Sequence, residues 1–322
     1  MLQIVTGLFL SIIYNAQEET VFKVIIIIIR DADTGWVTRI IHINGASLFF
    51  ILLYIHTARG IYFNSAANKK KVWLSGTLIM LLLIATAFLG YVLPWGQISF
   101  WGATVITGVL SAIPIVGNDL VIWIWGGPSV SQPTLNRFFS LHFILPILIA
   151  AIVIIHLILL HEKGSSNPTN THTNIDKIKF SPLLSLKDTL PAFIIIMIII
   201  TLISNTPNLL GDVENFNPAN PLVAPLHIQP EWYFLFAYVI LRSIPSKLGG
   251  VIALGTSVLI VVIFITKKSI TTKFIPKKKI IFWILISIIV VLTWIGAKTV
   301  EHPFESIGQI YTVLYFRTIL LI

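Results

Sequence analysis

Four histidines form two pairs with the same spacing inside apolar stretches of the chain. His42 and His56 are fourteen positions apart, and so are His142 and His156. Fourteen residues of an α-helix come within about 40° of four full turns and rise roughly 21 Å, so both members of a pair face the same way. An ionisable ring at membrane depth is costly and is usually functional. Two such helices side by side would offer two stacked sites, each with one histidine from either helix.

Paired histidines at two depths are the ligands expected of two six-coordinate haem groups. Iron with two protein ligands has no open position, so such sites carry electrons and do not activate oxygen. A single intramembrane histidine is more often a hydrogen-bonded packing residue, but the matched spacing favours the redox interpretation. The alternative from another class is a proton pathway in a transporter without redox chemistry, which leaves the spacing unexplained.

Glycines and arginines near the histidines are consistent with the same interpretation. Gly76 and Gly90, also fourteen apart, lie on the next apolar stretch. Glycines in membrane helices usually permit close helix packing, but beside two histidine pairs at the same spacing they favour clearance for flat macrocycles. Arg39 and Arg59 lie three positions outside the first histidine pair. They could pair with haem propionates or extend to the membrane interface, and the residues leave this choice open.

The composition indicates a membrane protein made of helices. The 322 residues are 56% hydrophobic and 11% charged, whereas a soluble domain carries about 25% charged residues. Six apolar runs are long enough to cross a hydrocarbon core of roughly 30 Å, at residues 36–58, 74–95, 137–161, 182–204, 249–266 and 280–297. Two more, at 1–14 and 307–322, stop at the chain ends. We therefore predict an all-α, polytopic transmembrane helical bundle with about eight spans, the first and last clipped, around a dihaem four-helix core.

Charged residues predict the orientation of the helices. With 96–136 assigned to two short interfacial helices, most of the 22 Lys and Arg residues fall on one side. This asymmetry is the positive-inside pattern, and it makes the histidine helices parallel, so that His42 is level with His142 and His56 with His156. The net charge of +9 thus reflects topology in a lipid bilayer, and we expect no nucleic-acid partner. Because the chain has no cysteine, a haem would be held without covalent attachment.

Two further groups of residues are suited to proton transfer. Glu231 and Tyr233 begin a short amphipathic segment after a loop rich in Pro, Asn and Asp. The carboxylate could be an N-terminal helix cap or could accept a proton from a bound quinol, and the residues alone do not decide. On the lysine-rich side, His161 and Asp188 could deliver protons to a reduced quinone, or could be solvated helix ends.

Three segments carry a resemblance to a known family. They are 90–97 (GYVLPWGQ), 99–104 (SFWGAT) and 230–234 (PEWYF). Together with the histidine pairs they resemble mitochondrial cytochrome b, the haem subunit of the ubiquinol:cytochrome c reductase complex, over essentially the whole chain. A dihaem membrane anchor of another respiratory enzyme would share the histidines but not the segments at 90–97 and 230–234.

The resemblance implies a role for the histidine pairs and for two quinone pockets. His42 and His142 would bind the low-potential haem near the intermembrane space, and His56 and His156 the high-potential haem near the matrix. Haem-binding positions would be Arg39, Arg59, Gly76, Gly90 and Gly7. The quinol-oxidation pocket would include Tyr91, Gly102, Pro230 and the catalytic residues Glu231 and Tyr233. The quinone-reduction pocket would include His161, Ser165, Lys187 and Asp188.

The resemblance also implies partners, organisation and location. Quinol oxidation would send one electron to an iron–sulfur protein and the other across two non-covalent haem b groups, with ubiquinol and ubiquinone as substrates. We expect a homodimeric complex that also contains cytochrome c1, in the mitochondrial inner membrane. We assign the dihaem bundle (spans one to five) to residues 1–205 and a C-terminal membrane domain (spans six to eight) to 206–322. Chains of this family start some tens of residues earlier and have a longer last helix, so we expect a sequence truncated at both ends.

Overall fold

Helices account for the regular structure of the chain. The structure is a computed structural model that describes residues 1–165, 167, 177–266 and 274–322. The first α-helices are α1 (Leu2–Ile13), α2 (Val21–Arg30), α3 (Gly35–Tyr62), α4 (Ser65–Asn68), α5 (Lys70–Val92), α6 (Gln97–Gly108), α7 (Gly117–Trp125), α8 (Gln132–Lys163) and α9 (Leu183–Asn205). After a long loop come α10 (Leu235–Arg242), α11 (Lys247–Leu259), α12 (Pro276–Gly296) and α13 (Phe304–Leu321). Strands are absent from these described residues, apart from an isolated bridge between Gly96 and Pro218.

Six helices within the described residues are long and apolar enough to cross a membrane, as the apolar runs predict. They are α3, α5, α8, α9, α12 and the segment Lys247–Ile265, which joins α11 to the 3₁₀ helix Ile260–Ile265. The clipped runs at the two chain ends form α1 and α13. Helices suit this environment because they satisfy their own backbone hydrogen bonds where no water is present. The predicted all-helical transmembrane bundle is therefore confirmed.

Residues 96–136 form two short helices, also as predicted. α6 continues into the 3₁₀ helix Val109–Ala112, and α7 begins at Gly117, where a Cβ would collide with two backbone carbonyl oxygens of that 3₁₀ helix. α7 ends at Gly126, whose φ of 77° lies in the left-handed region that favours glycine. Consequently no span separates α5 from α8 in the order of membrane helices within the described residues.

Two clusters of buried apolar side chains hold the helices together. One connects α2, α5, α6 and α8 and includes Val21, Val92 and Leu135. The other connects α10, α12 and α13 and includes Ile240 and Leu292. Many apolar side chains of α8 and α9 remain exposed, as expected of surfaces that face lipid. The predicted domain boundary after residue 205 coincides with the end of α9 and stays a prediction.

The loop between α9 and α10 is attached to the N-terminal helices by polar contacts. The Asn44 side chain of α3 donates to the Pro207 carbonyl at 2.9 Å. At the start of α6, the Gln97 side chain accepts from the Asn220 backbone N–H at 2.8 Å and donates to the Val223 carbonyl at 2.5 Å. These bonds hold the segment that leads into α10.

Candidate functional site

The structure brings one histidine of each pair together. His42 on α3 and His142 on α8 face each other, with ring centroids 6.2 Å apart and ring planes at 82°. Fourteen residues farther along the same helices, His56 and His156 line one cavity. Both meetings are possible only because α3 and α8 run in the same direction. The four rings therefore occupy two levels, with one histidine from each helix at each level.

Hydrogen bonds orient both rings of the first level. Thr6 Oγ1 lies 2.9 Å from both His42 Nδ1 and the Leu2 carbonyl. With its own proton directed to that carbonyl, the hydroxyl oxygen is free to accept the Nδ1 proton. His142 Nδ1 donates to the Thr86 carbonyl at 2.8 Å. With the proton assigned to Nδ1, each Nε2 keeps a free lone pair, as a metal-ligating histidine requires.

The second level is a cavity of about 420 Å³, within the size range of ligand pockets, about 300–1,000 Å³. Gly76 and Arg59 line it together with His56 and His156. Ser75 Oγ lies 2.8 Å from His156 Nδ1 and donates its proton to a carbonyl of its own helix. His156 is thus held in the same tautomer as the histidines of the first level.

Three glycines face the histidine rings without room for a side chain. A Cβ at Gly7 would lie 3.1 Å from the nearest atom of the His42 ring, and a Cβ at Gly76 would lie 3.2 Å from the His156 ring. At Gly90 a Cβ would overlap the His142 ring on α8. The glycines therefore keep the space beside His42, His142 and His156 free of side chains, as a planar macrocycle requires.

The donor set fits a haem rather than a bare metal ion. Among the residues described, no group of three or more His, Cys, Asp or Glu side chains could hold a metal. Two histidines would suffice to hold a haem, because the macrocycle itself supplies the other ligands of its iron. Arg39 lies half-buried on α3, three residues before His42, and Arg59 lies at the second cavity.

A second polar site lies just before α10. The Tyr91 hydroxyl of α5 and the Asp212 carboxylate are polar neighbours of the Glu231 carboxyl group. Burial, with repulsion from Asp212, raises the pKa of Glu231 to about 7, and the favourable interaction with the Tyr91 hydroxyl opposes part of this rise. Its side chain makes no capping hydrogen bond to the 3₁₀ helix Trp232–Phe234 that follows. The geometry therefore favours the proton-accepting interpretation over the helix cap.

Comparison with known proteins identifies the family. The model for cytochrome b/b6/petB matches residues 1–164, and the model for cytochrome b(C-terminal)/b6/petD matches residues 218–316. The chain belongs to the cytochrome b family. A solved chain described as "Hyperthermophilic respiratory Complex III" is similar to it, with 32% sequence identity and a TM-score of 0.93. That match covers 99% of this chain and 86% of the solved one.

Membership of this family confirms the resemblance to cytochrome b drawn from the sequence segments, whereas a mitochondrial origin stays a prediction. It implies haem b as the prosthetic group and electron transfer as the role of this multi-pass membrane protein. It also argues against the two alternatives, a dihaem anchor of another enzyme and a transporter without redox chemistry.

The other positions expected of a cytochrome b quinol-oxidation pocket lie close to Glu231 in sequence or on neighbouring helices. Tyr91 interacts with Glu231, and Tyr233, 5% exposed, lies two residues beyond Glu231 in sequence. Pro230 is half-buried directly before it. Gly102 is buried in α6, and a Cβ there would meet no atom within 4 Å. Open space therefore borders Gly102, whereas histidine rings lie directly against the glycines of the histidine sites.

The structure does not bring all the residues expected at the quinone-reduction pocket to one cavity. Ser165 lines the cavity that contains His56. The His161 side chain is exposed, and its Nδ1 bonds to a carbonyl one turn earlier at 2.7 Å. Lys187 and Asp188 are exposed near the start of α9. Within the described part of the chain, these last three residues do not line the cavity.

Thr6 and Ser75 are site residues that the histidine spacing does not indicate. Each hydroxyl residue directly precedes one of the glycines that face a histidine ring, Gly7 or Gly76. This hydroxyl–glycine pattern is the signal that could have found them. Lys69 also lines the cavity and donates to a backbone carbonyl just after α8. In the sequence, its charge indicates only the orientation of the helices.

Proposed function

We propose that this chain carries electrons across the membrane through two haem b groups and couples quinol oxidation at one face to quinone reduction at the other. The observation that supports this most is the pairing of histidines at two levels, His42 with His142 and His56 with His156. Each oxidised quinol gives up two electrons and two protons. One electron goes to an iron–sulfur partner, and the other passes through both haem sites, so that the oxidation of two quinols supplies the two electrons that reduce one quinone to quinol at the opposite face. Protons released at one face and taken up at the other make the cycle proton-translocating, as in the Q cycle.

The chain's own residues prepare the histidines for this role. A bound haem b supplies an iron that exchanges single electrons and has no open coordination position. The hydroxyls of Thr6 and Ser75 and the carbonyl of Thr86 hold Nδ1 protons, so that Nε2 is free to ligate. Arg39 and Arg59 are the proposed cationic partners of the haem propionates, since charge-assisted hydrogen bonds to carboxylates are strong.

Glu231 and Tyr233 are the proposed catalytic residues of quinol oxidation. A pKa of about 7 leaves the Glu231 carboxylate partly ionised at neutral pH. A general base works best when its pKa lies near the operating pH. The Tyr91 hydroxyl interacts favourably with the ionised carboxylate, and Gly102 borders open space that can admit a substrate ring. Pro230 completes the proposed pocket.

Quinone reduction is proposed at the lysine-rich face. Ser165 lies at the cavity that contains the second histidine level. His161, Lys187 and Asp188 are exposed, and their proposed role is to take up protons from the aqueous phase and pass them towards a reduced quinone.

The assembly and its location are part of the same proposal. The match to a chain of a respiratory Complex III supports incorporation into a homodimeric complex with an iron–sulfur protein and a cytochrome c1 subunit. The proposed location is the mitochondrial inner membrane, with ubiquinol and ubiquinone as the proposed substrates; the sequence resemblance to the mitochondrial proteins supports both.

A reductive titration of the visible spectrum tests the haem assignment. The purified complex should show two b-type components with different midpoint potentials. His42→Ala should remove one component and His56→Ala the other, because each substitution leaves one level with a single ligand. His302→Ala, an exposed residue in the loop before α13, is the matched control and should keep both. A well-folded wild-type complex that stays colourless when supplied with haem would contradict the proposal and favour the transporter interpretation.

A further inference from the structure

Helix α3 presents a second functional face besides its histidine face. Ser47, Phe50 and Tyr54 follow one another at intervals of three and four residues. At about 100° per residue they fall within roughly 60° of one another and lie roughly 130° away from the direction of His42 and His56. The same helix can therefore hold haem ligands on one side and contact another element on the other side.

That second face contacts the segment directly after Glu231. The Trp232 indole N–H donates to Ser47 Oγ at 3.1 Å. The Phe50 ring stacks on the Tyr233 ring, with centroids 4.2 Å apart and planes within 2° of parallel. The Tyr54 hydroxyl donates to the Tyr233 backbone carbonyl at 2.6 Å. We call these three α3 residues the clamp.

The clamped segment needs such contacts because it is too short to hold its own conformation. Trp232–Phe234 is a single turn of 3₁₀ helix, and 3₁₀ hydrogen bonds have poor geometry and persist only in short runs. The clamp is well placed for the task because Ser47 and Phe50 are 3% and 2% exposed. Backbone, ring and indole of the segment are each held by a different clamp residue.

We propose that Ser47, Phe50 and Tyr54 are positioning residues for proton transfer at Glu231, an inference that rests on the function proposed above. They hold the backbone that follows Glu231, while Tyr91 of α5 holds its carboxylate. The carboxylate is thereby kept buried at one place between α3 and α5. Proton transfer from a quinol hydroxyl to this carboxylate is fastest when both restraints act together.

The clamp also affects the acidity of the site. The titratable groups that face the Glu231 carboxyl are Tyr91 from α5, Asp212 from the α9–α10 loop and Tyr233 from its own segment. A loosened segment would let water reach the carboxyl group, and hydration favours its charged form. Weakening the clamp should therefore shift the pH dependence of quinol oxidation to lower pH as well as slow the reaction.

The test uses membranes that contain the assembled complex, with a short-chain ubiquinol as the probe. Tyr54→Phe removes one hydroxyl and keeps the ring, and Ser47→Ala removes the indole's acceptor. Each should lower kcat for quinol oxidation about threefold to tenfold, the typical effect of losing one hydrogen bond. Each should also move the rising limb of the pH profile to lower pH while both haem components of the spectrum stay intact.

Tyr62→Phe is the matched control, because Tyr62 lies on the same helix but packs on Phe63 and Phe282, away from the clamped segment. It should leave rate and pH profile unchanged. The double variant Tyr54→Phe with Glu231→Gln should show no pH shift beyond that of Glu231→Gln alone, since coupled residues are not additive.

The experiment distinguishes failure of the proposed function from failure of the inference about the clamp. If wild-type membranes show no haem reduction by ubiquinol, the proposed function itself is wrong. If the wild type is active but both clamp variants keep its pH profile, or lower the rate equally at every pH, then the clamp has only a structural role and the inference is overturned.

Discussion

At Glu231, burial and a neighbouring carboxylate raise the pKa of the carboxyl group, and a phenol lowers it. Burial and Asp212 disfavour the ionised form, whereas the Tyr91 hydroxyl stabilises it, and the resulting pKa is about 7. Because this folded-state pKa lies above the ordinary value, the neutral acid is the form that folding favours. The corresponding stabilisation is complete below the unfolded-state pKa and is lost as pH rises through about 7.

The same titration predicts the pH dependence of quinol oxidation. The rate should rise with pH through about 7, as the Glu231 carboxylate ionises and becomes able to accept a proton. Glu231→Gln should lower the rate about 100-fold, a typical contribution of a general base, and should remove this rise. Steady-state rates of ubiquinol oxidation across the pH range measure both effects. Glu301→Gln, at an exposed loop position, is the control; a Glu231→Gln variant that keeps the wild-type curve would exclude Glu231 as the base.

At the scale of elements, α5 gives the clearest relation between spacing and function. Its two glycines are fourteen residues apart and face histidines of α8 at both levels. A helix normally gains about 1 kcal/mol when alanine replaces an interior glycine. If haem binding is lost on such a replacement, the cause is therefore the missing space and not a weaker helix.

Gly90→Ala tests this space. The new Cβ would overlap the His142 ring, so we expect one of the two b-type components to be lost or strongly reduced in the reduced-minus-oxidised spectrum. Gly255→Ala on α11 is the matched control, because a Cβ there meets no atom within 4 Å, and it should retain both components. Two normal components in Gly90→Ala would show that the glycine serves helix packing instead.

At the scale of the whole molecule, residues far apart in sequence assemble the quinol-oxidation site. Glu231 is held by Tyr91 and, through the clamp, by α3. The loop before it is held by Gln97. The N-terminal helices thus carry the histidines and also position the acidic residue that the C-terminal half contributes.

Gln97→Ala should loosen this connection. The substitution removes the side-chain partners of the Asn220 N–H and the Val223 carbonyl, and each unsatisfied group costs about 1–3 kcal/mol. We expect faster cleavage within residues 206–230 by a soluble protease, on the order of tenfold, measured on the intact complex. Gln309→Ala, at an exposed position of α13, should match the wild type. Equal cleavage of both variants would show that the loop is held by other contacts.

Much of the fold was predictable because its signals are local. Apolar runs of sufficient length define the six spans, and proline and glycine interrupt the segment 96–136 where α6 and α7 form. The histidine pairs were predictable for the same reason, since helical geometry relates residues fourteen apart without any knowledge of neighbours. Thr6 and Ser75 were not, because their importance lies in which ring each hydroxyl meets on another helix.

The sequence by itself determined the membrane class, the six spans, the histidine pairs and the family, because periodicity, hydropathy and short motifs are properties of contiguous residues. Only the tertiary structure decided which groups meet: Tyr91 with Glu231, the clamp of α3 with Trp232 and Tyr233, and Ser165, but not His161, Lys187 or Asp188, at the second cavity. These contacts join residues up to 185 positions apart. They depend on side-chain directions and helix packing, which no local pattern specifies.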